Sequence, residues 1–546
     1  MKNVEITFPN NEKRTYEFNT SYYDIAKDVK EDLKNVIAVS VNNETFSLDM
    51  TAKKNETIKF LDVTSLQGYK IYQSGLKFIF QVAVSHLYKD AQVSFLHSVP
   101  RGILCEIQTT HNLTYEDISK IKGEMTSIVE KNERIYKYRV DTVDASNYFK
   151  KINENEKSEI LDSLFNEVTI IYKLEDKINY FYTLMPYETG AINKFELVFL
   201  GRNRVVLVCP NIVSKDSVPE YVHYENIVNN FLESKKWLKK MNMVYLADLN
   251  NVISEGHVKD FIESSEFSFG LDLFVVSEKI LMQKDLKMVL IAGPSSSGKT
   301  TTMKRLAQIL NSRGCKTITL STDDFFVNRD DTPRKENGEF DFECLEAIDL
   351  ELFNNTLKKL INHEEVELPT YEFTSGKRLY LGKKAKLEEN GIILIEGLHT
   401  LNDDLTPQID NKYKFKIYLS PFMALNLDRH NYISTLDLRL IRRIVRDFKT
   451  RGRSLDQTFD SWQGVREGEE KYIFPYIYQA DVIINTAMAY EVGALKLYAE
   501  PILFSIDHNS KYYNESKRLI SVLKPFFIVP SEYIPKFTII REFIDD

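Results

Sequence analysis

Eight consecutive residues, Gly293-Pro294-Ser295-Ser296-Ser297-Gly298-Lys299-Thr300, fit the G-x-x-x-x-G-K-[ST] spacing of a phosphate-binding loop. Ahead of them Met288 to Ala292 is short, continuously apolar and strand-like; behind them Met303, Leu306, Ala307, Ile309 and Leu310 recur at helical spacing. A strand, a glycine-bounded loop and a helix start converge backbone N–H groups on an anion. Lys299 adds a point charge toward the outer phosphates and the Thr300 hydroxyl a ligand for Mg²⁺, with Thr301 next in the same set. The pattern predicts a binding site for a nucleoside triphosphate, with ATP and Mg²⁺ as cofactors.

Phosphoryl transfer further needs a group that orients the nucleophile, a metal carboxylate and cations for the developing charge. Asp323, in Leu320-Ser321-Thr322-Asp323, ends a second apolar run. It suits a base toward an attacking hydroxyl, or a water-mediated metal contact, or a cap on the following turn. Glu396 follows three apolar residues, where a metal-binding carboxylate is expected. Between Asp437 and Arg453 stand Arg439, Arg442, Arg443, Arg446, Arg451 and Arg453, several at helical spacing. In an acidic chain this reads as a mobile lid closing over phosphates, since guanidinium groups suit such recognition. Tyr371 and Phe373 offer rings that stack on a base or pack as a structural cluster. The histidines form no cluster, and no H-R-D-type loop of a protein kinase is present.

The elements that must position these residues belong to a chain of 546 residues, too long for one ordinary core. With 43% hydrophobic and 27% charged residues and a net charge of −8, it reads as a soluble multidomain protein without wholesale nucleic-acid or membrane binding. Cys105, Cys209, Cys315 and Cys344 are scattered, which suits a reducing compartment and no zinc site. The first residues lack the apolar core of a signal peptide, and no apolar run is long enough to cross a bilayer, so a cytoplasmic protein is expected. Alternation through residues 1–65, around a helical patch at Ser21–Leu33, predicts a compact α+β unit. Residues 66–254 mix helices (Gly75–Leu87, Tyr115–Lys131, Lys157–Phe165) with strands (Phe195–Leu200, Arg204–Cys209), again α+β. Residues 255–286 predict a helical connector. From residue 287 to 546 strands at Thr317–Ser321, Ile392–Glu396, Phe415–Ser420 and Asp481–Asn485 alternate with helices. That is the α/β pattern of a parallel sheet flanked by helices, whose ligands sit at the carboxyl ends of the strands. Gly293, Asp323 and Glu396 occupy those ends. A homo-oligomer is compatible with the sequence, and the packing of the tail from Pro501 onward is left open.

With those residues in view, the second half resembles the uridine/cytidine kinase family, related to phosphoribulokinase. The resemblance rests on ordered motifs: Gly293 to Thr300, Leu320-Ser321-x-Asp323, Phe342-x-x-x-x-Ala347-x-Asp349, Pro369-x-Tyr371-x-Phe373, Glu396-Gly397, and Arg439 to Arg453. It implies a P-loop kinase domain with Asp323 as the base toward a nucleoside 5′-hydroxyl. Glu343 would contact ribose hydroxyls, Tyr371 and Phe373 would line the base pocket, and Arg443 would face the acceptor. Arg446, Arg451 and Arg453 would lie near the phosphates. Three positions depart from the family pattern: Gly376 stands in place of a pyrimidine-contacting His, Phe326 of a Tyr and Ser461 of a Gln.

The first half is similar to the N-terminal region of threonyl-tRNA synthetase. Residues 1–65 resemble its TGS domain, a β-grasp unit, and residues 66–254 its editing domain. Ser74, Phe78, Phe181 and Met185 align with the editing histidines, cysteine and final histidine, and none of them is a general base. The resemblance therefore implies a retained fold without that hydrolysis. It also raises a reading of a different class, an RNA- or tRNA-binding protein switched by ATP. A third reading is a kinase of another small hydroxyl compound, such as a sugar phosphate.

Overall fold

The computed structural model describes residues 3–30, 33–164, 166–336 and 338–545. Five strands of the second half form one sheet, in the order Thr317–Ser321, Ile392–Gly397, Met288–Ala292, Lys414–Ser420 and Val482–Asn485, with every neighbouring pair parallel. All residues of the three central strands are buried, and Met288–Ala292 and residues 392–395 accordingly read as continuous apolar runs. The helices Lys299–Ser312 and Leu350–Ile361 pack on this sheet through Leu306, Leu310, Phe353 and Leu357. This is a P-loop kinase-like fold. Its register aligns Ala292 with Gly397 and Ser321 with Glu396, so the phosphate loop, Glu396 and the Asp323 turn leave one edge of the sheet. An antiparallel ribbon, Val366–Glu372 with Lys377–Ala385, projects Tyr371 beside that edge.

The described residues up to Leu61 form a mixed five-stranded sheet with the helix Tyr22–Val29 packed on it, Ile25 and Ala26 against Val4, Ile6 and Val39. Ser21 caps that helix, which ends at Val29; Glu31 and Asp32 of the expected patch lie outside the described residues. A four-stranded antiparallel sheet (Gln92–Val99, Gly102–Gln108, Glu196–Gly201, Arg204–Val208) and a three-stranded one (Tyr136–Asp141, Val168–Leu174, Lys177–Asn179) follow. The helix expected from Gly75 begins at Leu66, capped by Ser65. Its glycines sit where a side chain would collide: a Cβ at Gly68 would lie 1.8 Å from the Asp62 carbonyl oxygen, and one at Gly75 would lie 2.7 Å from Pro186. Close packing, not a helix break, explains them. Tyr115–Lys131 is helical as expected, fixed by a Thr114/Asp117 capping box. The expected Lys157–Phe165 helix is Asn155–Ser163, with Phe165 outside the described residues. The connector is the long helix Val258–Leu281.

The halves share a continuous apolar core running from Leu96 and Val206 through Phe231 and Phe261 to Ile291 and Val445. A buried polar seam joins them as well. Lys157 Nζ bonds Asn179 Oδ1 and His430 Nδ1, and Phe95 pairs through its backbone with Arg429 and accepts from the Asn426 side chain at 2.9 Å. The tail, whose packing the sequence leaves open, touches both halves. Its Asn514 accepts from Thr45 N at 2.9 Å, and its Glu542 accepts from Thr301 Oγ1 at 2.7 Å.

Candidate functional site

At the carboxyl edge of the parallel sheet lies a cleft of about 780 Å³. Lys299, Thr300, Asp323, Glu343, Tyr371, Phe373, Glu396, Arg443, Arg446, Arg451 and Arg453 all line it, with Ser295 to Gly298 as its floor. Gly293 and Pro294 lie behind that floor. Gly293 is required there because a Cβ would meet the Leu419 carbonyl oxygen at 2.7 Å. Gly298 adopts φ +82 at the start of the helix Lys299–Ser312. A Cβ there would also meet Ile539 of the tail at 2.7 Å.

Buried cations hold the loop from behind. Arg439 Nε donates to the Ser295 carbonyl at 2.8 Å, Arg442 to the Ser296 carbonyl at 3.2 Å, and Thr486 Oγ1 to the Ser297 carbonyl at 2.7 Å. In a trans peptide the next amide points the opposite way, so the amides of Ser296 and Gly298 point away from Arg439 and Thr486. The Ser297 amide instead closes a turn on Pro294, 3.2 Å away.

The expectation of a mobile basic lid over Arg439 to Arg453 is corrected in part. Arg439 and Arg442 are 1% and 0% exposed, and they pair with the buried carboxylates Glu469 and Glu491. The Thr435–Arg451 helix is a packed element anchored at its start: Asp437 pairs with Lys70 and Arg518, and Ser98 holds the Thr435 amide. Only its later residues and Arg453, past the left-handed Gly452, present charge to the cleft. Buried Asp447 gathers Arg443, Arg446 and Arg451 at 3.2, 3.2 and 3.5 Å. Arg443 also donates to Ser295 Oγ and Ser461 Oγ, and burial lowers its pKa to about 10.

Thr300 Oγ1 and Ser321 Oγ both donate to Glu396 Oε1, at 3.0 and 3.1 Å. Burial raises the Glu396 pKa, and nearby Lys299 opposes that rise. A hydroxyl and a buried carboxylate beside a phosphate cradle fit Mg²⁺, which is commonly held by one or two carboxylates together with substrate phosphates. Asp323 is exposed to the cleft. The cap of its short turn is Ser321, whose hydroxyl accepts from the Asp323 amide at 3.3 Å, so the Asp323 carboxylate is not used for capping. Glu343 faces the same space; burial, then the charge of Asp323, raises its pKa to about 7.

Tyr371 is buried and Phe373 is 59% exposed, with ring centroids 5.2 Å apart; Phe326 packs edge-on against both. The Tyr371 hydroxyl has no hydrogen-bond partner among the described residues. At Gly376 (φ +69) a Cβ would lie 2.7 Å from Arg329 Nε, so the Arg329 guanidinium fills the space of a side chain there. Arg329 donates to the Phe373 carbonyl and lines the cleft, as does Lys335. Sequence reasoning missed Arg329, Lys335 and Glu542 at this site; none sits in a motif, and each arrives from a loop or the tail. Thr301 spends its hydroxyl on Glu542, at the cleft margin. In the first half, Phe78 and Phe181 pack in the core with tilted rings 5.6 Å apart, Met185 is 2% exposed, and Ser74 bonds Thr183. No described helix is long and apolar enough to cross a membrane.

This sheet, loop and cleft define a kinase-like phosphotransferase. A family model for "Phosphoribulokinase / Uridine kinase family" matches residues 288–492. A uridine kinase from Lactobacillus helveticus (strain DPC 4571) is 30% identical over 196 residues, 36% of this chain and 83% of that enzyme. One from Macrococcus caseolyticus (strain JCSC5402) is 31% identical over 196 residues, 36% of this chain and 85% of that enzyme. The chain belongs to the phosphoribulokinase/uridine kinase family through its second half. A threonine–tRNA ligase from Ehrlichia canis (strain Jake) is also similar, 28% identical over 172 residues, 31% of this chain and 27% of that protein.

Proposed function

We propose that the protein transfers the γ-phosphoryl group of ATP, with Mg²⁺, to the 5′-hydroxyl of a nucleoside, uridine or cytidine, as in pyrimidine salvage in the cytoplasm. One observation carries this reading: Lys299 and Asp323 open onto a single cleft, with Glu396 between the loop and the Asp323 turn. In this scheme the loop amides and Lys299 hold the phosphates. Thr300 and Glu396, with Asp323 through water, hold Mg²⁺, which supplies charge neutralisation when bound. Asp323 takes the proton from the attacking hydroxyl, Glu343 accepts from ribose hydroxyls, and Tyr371 and Phe373 flank the base. Arg443 orients the acceptor side, while Arg446, Arg451 and Arg453 offset charge on the transferred group.

A second acceptor class has its own support. Arg329 fills the space at Gly376, Lys335 lines the same cleft, and Phe326 and Ser461 replace polar groups of the family pattern. Two cations there favour an acceptor carrying an anionic group, such as a sugar phosphate. Incubation with labelled ATP and a panel of nucleosides and phosphorylated sugars tests both. Label on uridine or cytidine supports the first, label on a sugar phosphate the second, and label on neither removes the kinase reading.

For the first half we propose a TGS-like unit at residues 1–65 and an editing-like unit at 66–254, joined by the 255–286 connector to the kinase domain, 287–546. RNA or tRNA contact by those units rests on likeness to the tRNA ligase alone. Titration with labelled tRNA tests it.

A further inference from the structure

The connector helix Val258–Leu281 buries Phe261, Ile262, Phe269, Leu273, Val276 and Ile280 in the core. Its opposite face is also apolar. Phe267 is 70% exposed, Leu271 50% and Val275 54%. Phe274, 45% exposed, lies beside them under the Arg313 guanidinium. A contiguous apolar patch of this kind on a soluble chain marks a place where something docks.

The order along this ridge says what docks. Glu263, Phe267, Leu271, Val275 and Lys279 follow one another at steps of four, an i±4 ridge with an acid at one end, a base at the other and three apolar residues between. A two-fold interface requires that residue i meets j while j meets i. Antiparallel pairing of the helix with itself about Leu271 does this. Phe267 meets Val275 of the second copy and Glu263 meets Lys279, each contact made twice. Glu263 has only an intrahelical pair with Lys259, at 3.9 Å with both side chains 60% exposed. Lys279 has no ion pair among the described residues. A groove of about 450 Å³ between this helix and Glu225–Lys240, walled by Trp237 and Val275, extends the surface beyond a bare helix pair.

We propose that the chain forms a two-fold dimer by antiparallel packing of Val258–Leu281 on the same helix of a second copy. Sedimentation of the full chain tests it. The expected result is a dimer that Leu271→Glu weakens at least about 100-fold, because two carboxylates would be buried unpaired at the axis. Leu271→Glu is half-exposed in the monomer, so its circular dichroism should match the parent. Glu263→Lys and Lys279→Glu should each weaken the dimer, and the double reversal should restore it. A parent that stays monomeric up to about 100 µM, a dimer indifferent to Leu271→Glu, or a double reversal no tighter than the singles would overturn the proposal.

Discussion

Glu343 gives the sharpest functional prediction. Its carboxyl stands in a partly buried place facing Asp323, and burial with that negative neighbour raises its pKa to about 7, against a counter-pull from Arg443. In its proposed role, accepting hydrogen bonds from ribose hydroxyls, it works in its ionised form. The ionised fraction climbs from about one-tenth at pH 6 to about nine-tenths at pH 8 for such a group. The specificity constant for the acceptor reports on the enzyme before the acceptor binds, so kcat/KM for the nucleoside should rise about tenfold across that interval. Glu343→Gln should lower kcat/KM at pH 8 and flatten the rise. The direction for stability is opposite. The folded protein holds the Glu343 proton more tightly than the unfolded chain, so stability falls as pH climbs from the ordinary glutamate range to about 7. Glu343→Gln removes that slope as well. Initial rates at saturating ATP and Mg²⁺, with thermal melts on the same buffers, supply both readouts. A parent profile flat between pH 6 and 8, or a Gln variant with the same rise, refutes the assignment.

Three further outcomes follow from the packing. Arg442→Met strands the fully buried Glu491, and breaking a buried pair from one side costs about 3–5 kcal/mol, so the melting temperature should fall by many degrees; Arg446→Met, at the cleft, should raise the KM for ATP with little change in melting. Gly298→Ala forces a side chain into a left-handed position against Ile539, which should cost at least about 1 kcal/mol and weaken nucleotide binding measured by calorimetry. Lys299→Ala removes a point charge from the phosphate end, so both ATP affinity and turnover should drop while the melting curve of the free protein stays in place.

Much of the kinase half was legible because its signals are local. Met288–Ala292 and residues 392–395 and 482–484 announce themselves as uninterrupted apolar runs, and each expected strand lies within a residue of its observed limits. The rule that ligands gather at strand ends then brings Gly293, Asp323 and Glu396 together, and the register fulfils it. What failed was pairing at a distance. Arg439 and Arg442 look like their neighbours on a basic helix, and only Glu469 and Glu491, 30 and 49 residues away, turn them inward. Glu542 reaches Thr301 across 241 residues, and Arg329 reaches the Phe373 carbonyl across 44. In the first half the strands Gln92–Val99 and Gly102–Gln108 carry polar residues such as Ser94, His97 and Glu106 that blur the alternation. The helix from Leu66 hides behind glycines chosen for close contact.

The account stands on Asp323 and Lys299 serving one phosphoryl transfer in one cleft. The direct measurement compares Asp323→Asn with the parent, scoring ATP binding by calorimetry and label transfer from γ-labelled ATP on the same preparations. Loss of a positioned base costs about 10²- to 10⁴-fold, so transfer should fall by that factor while ATP affinity stays within about twofold. Undiminished transfer in Asp323→Asn, or loss of transfer only in step with loss of ATP binding, would contradict it.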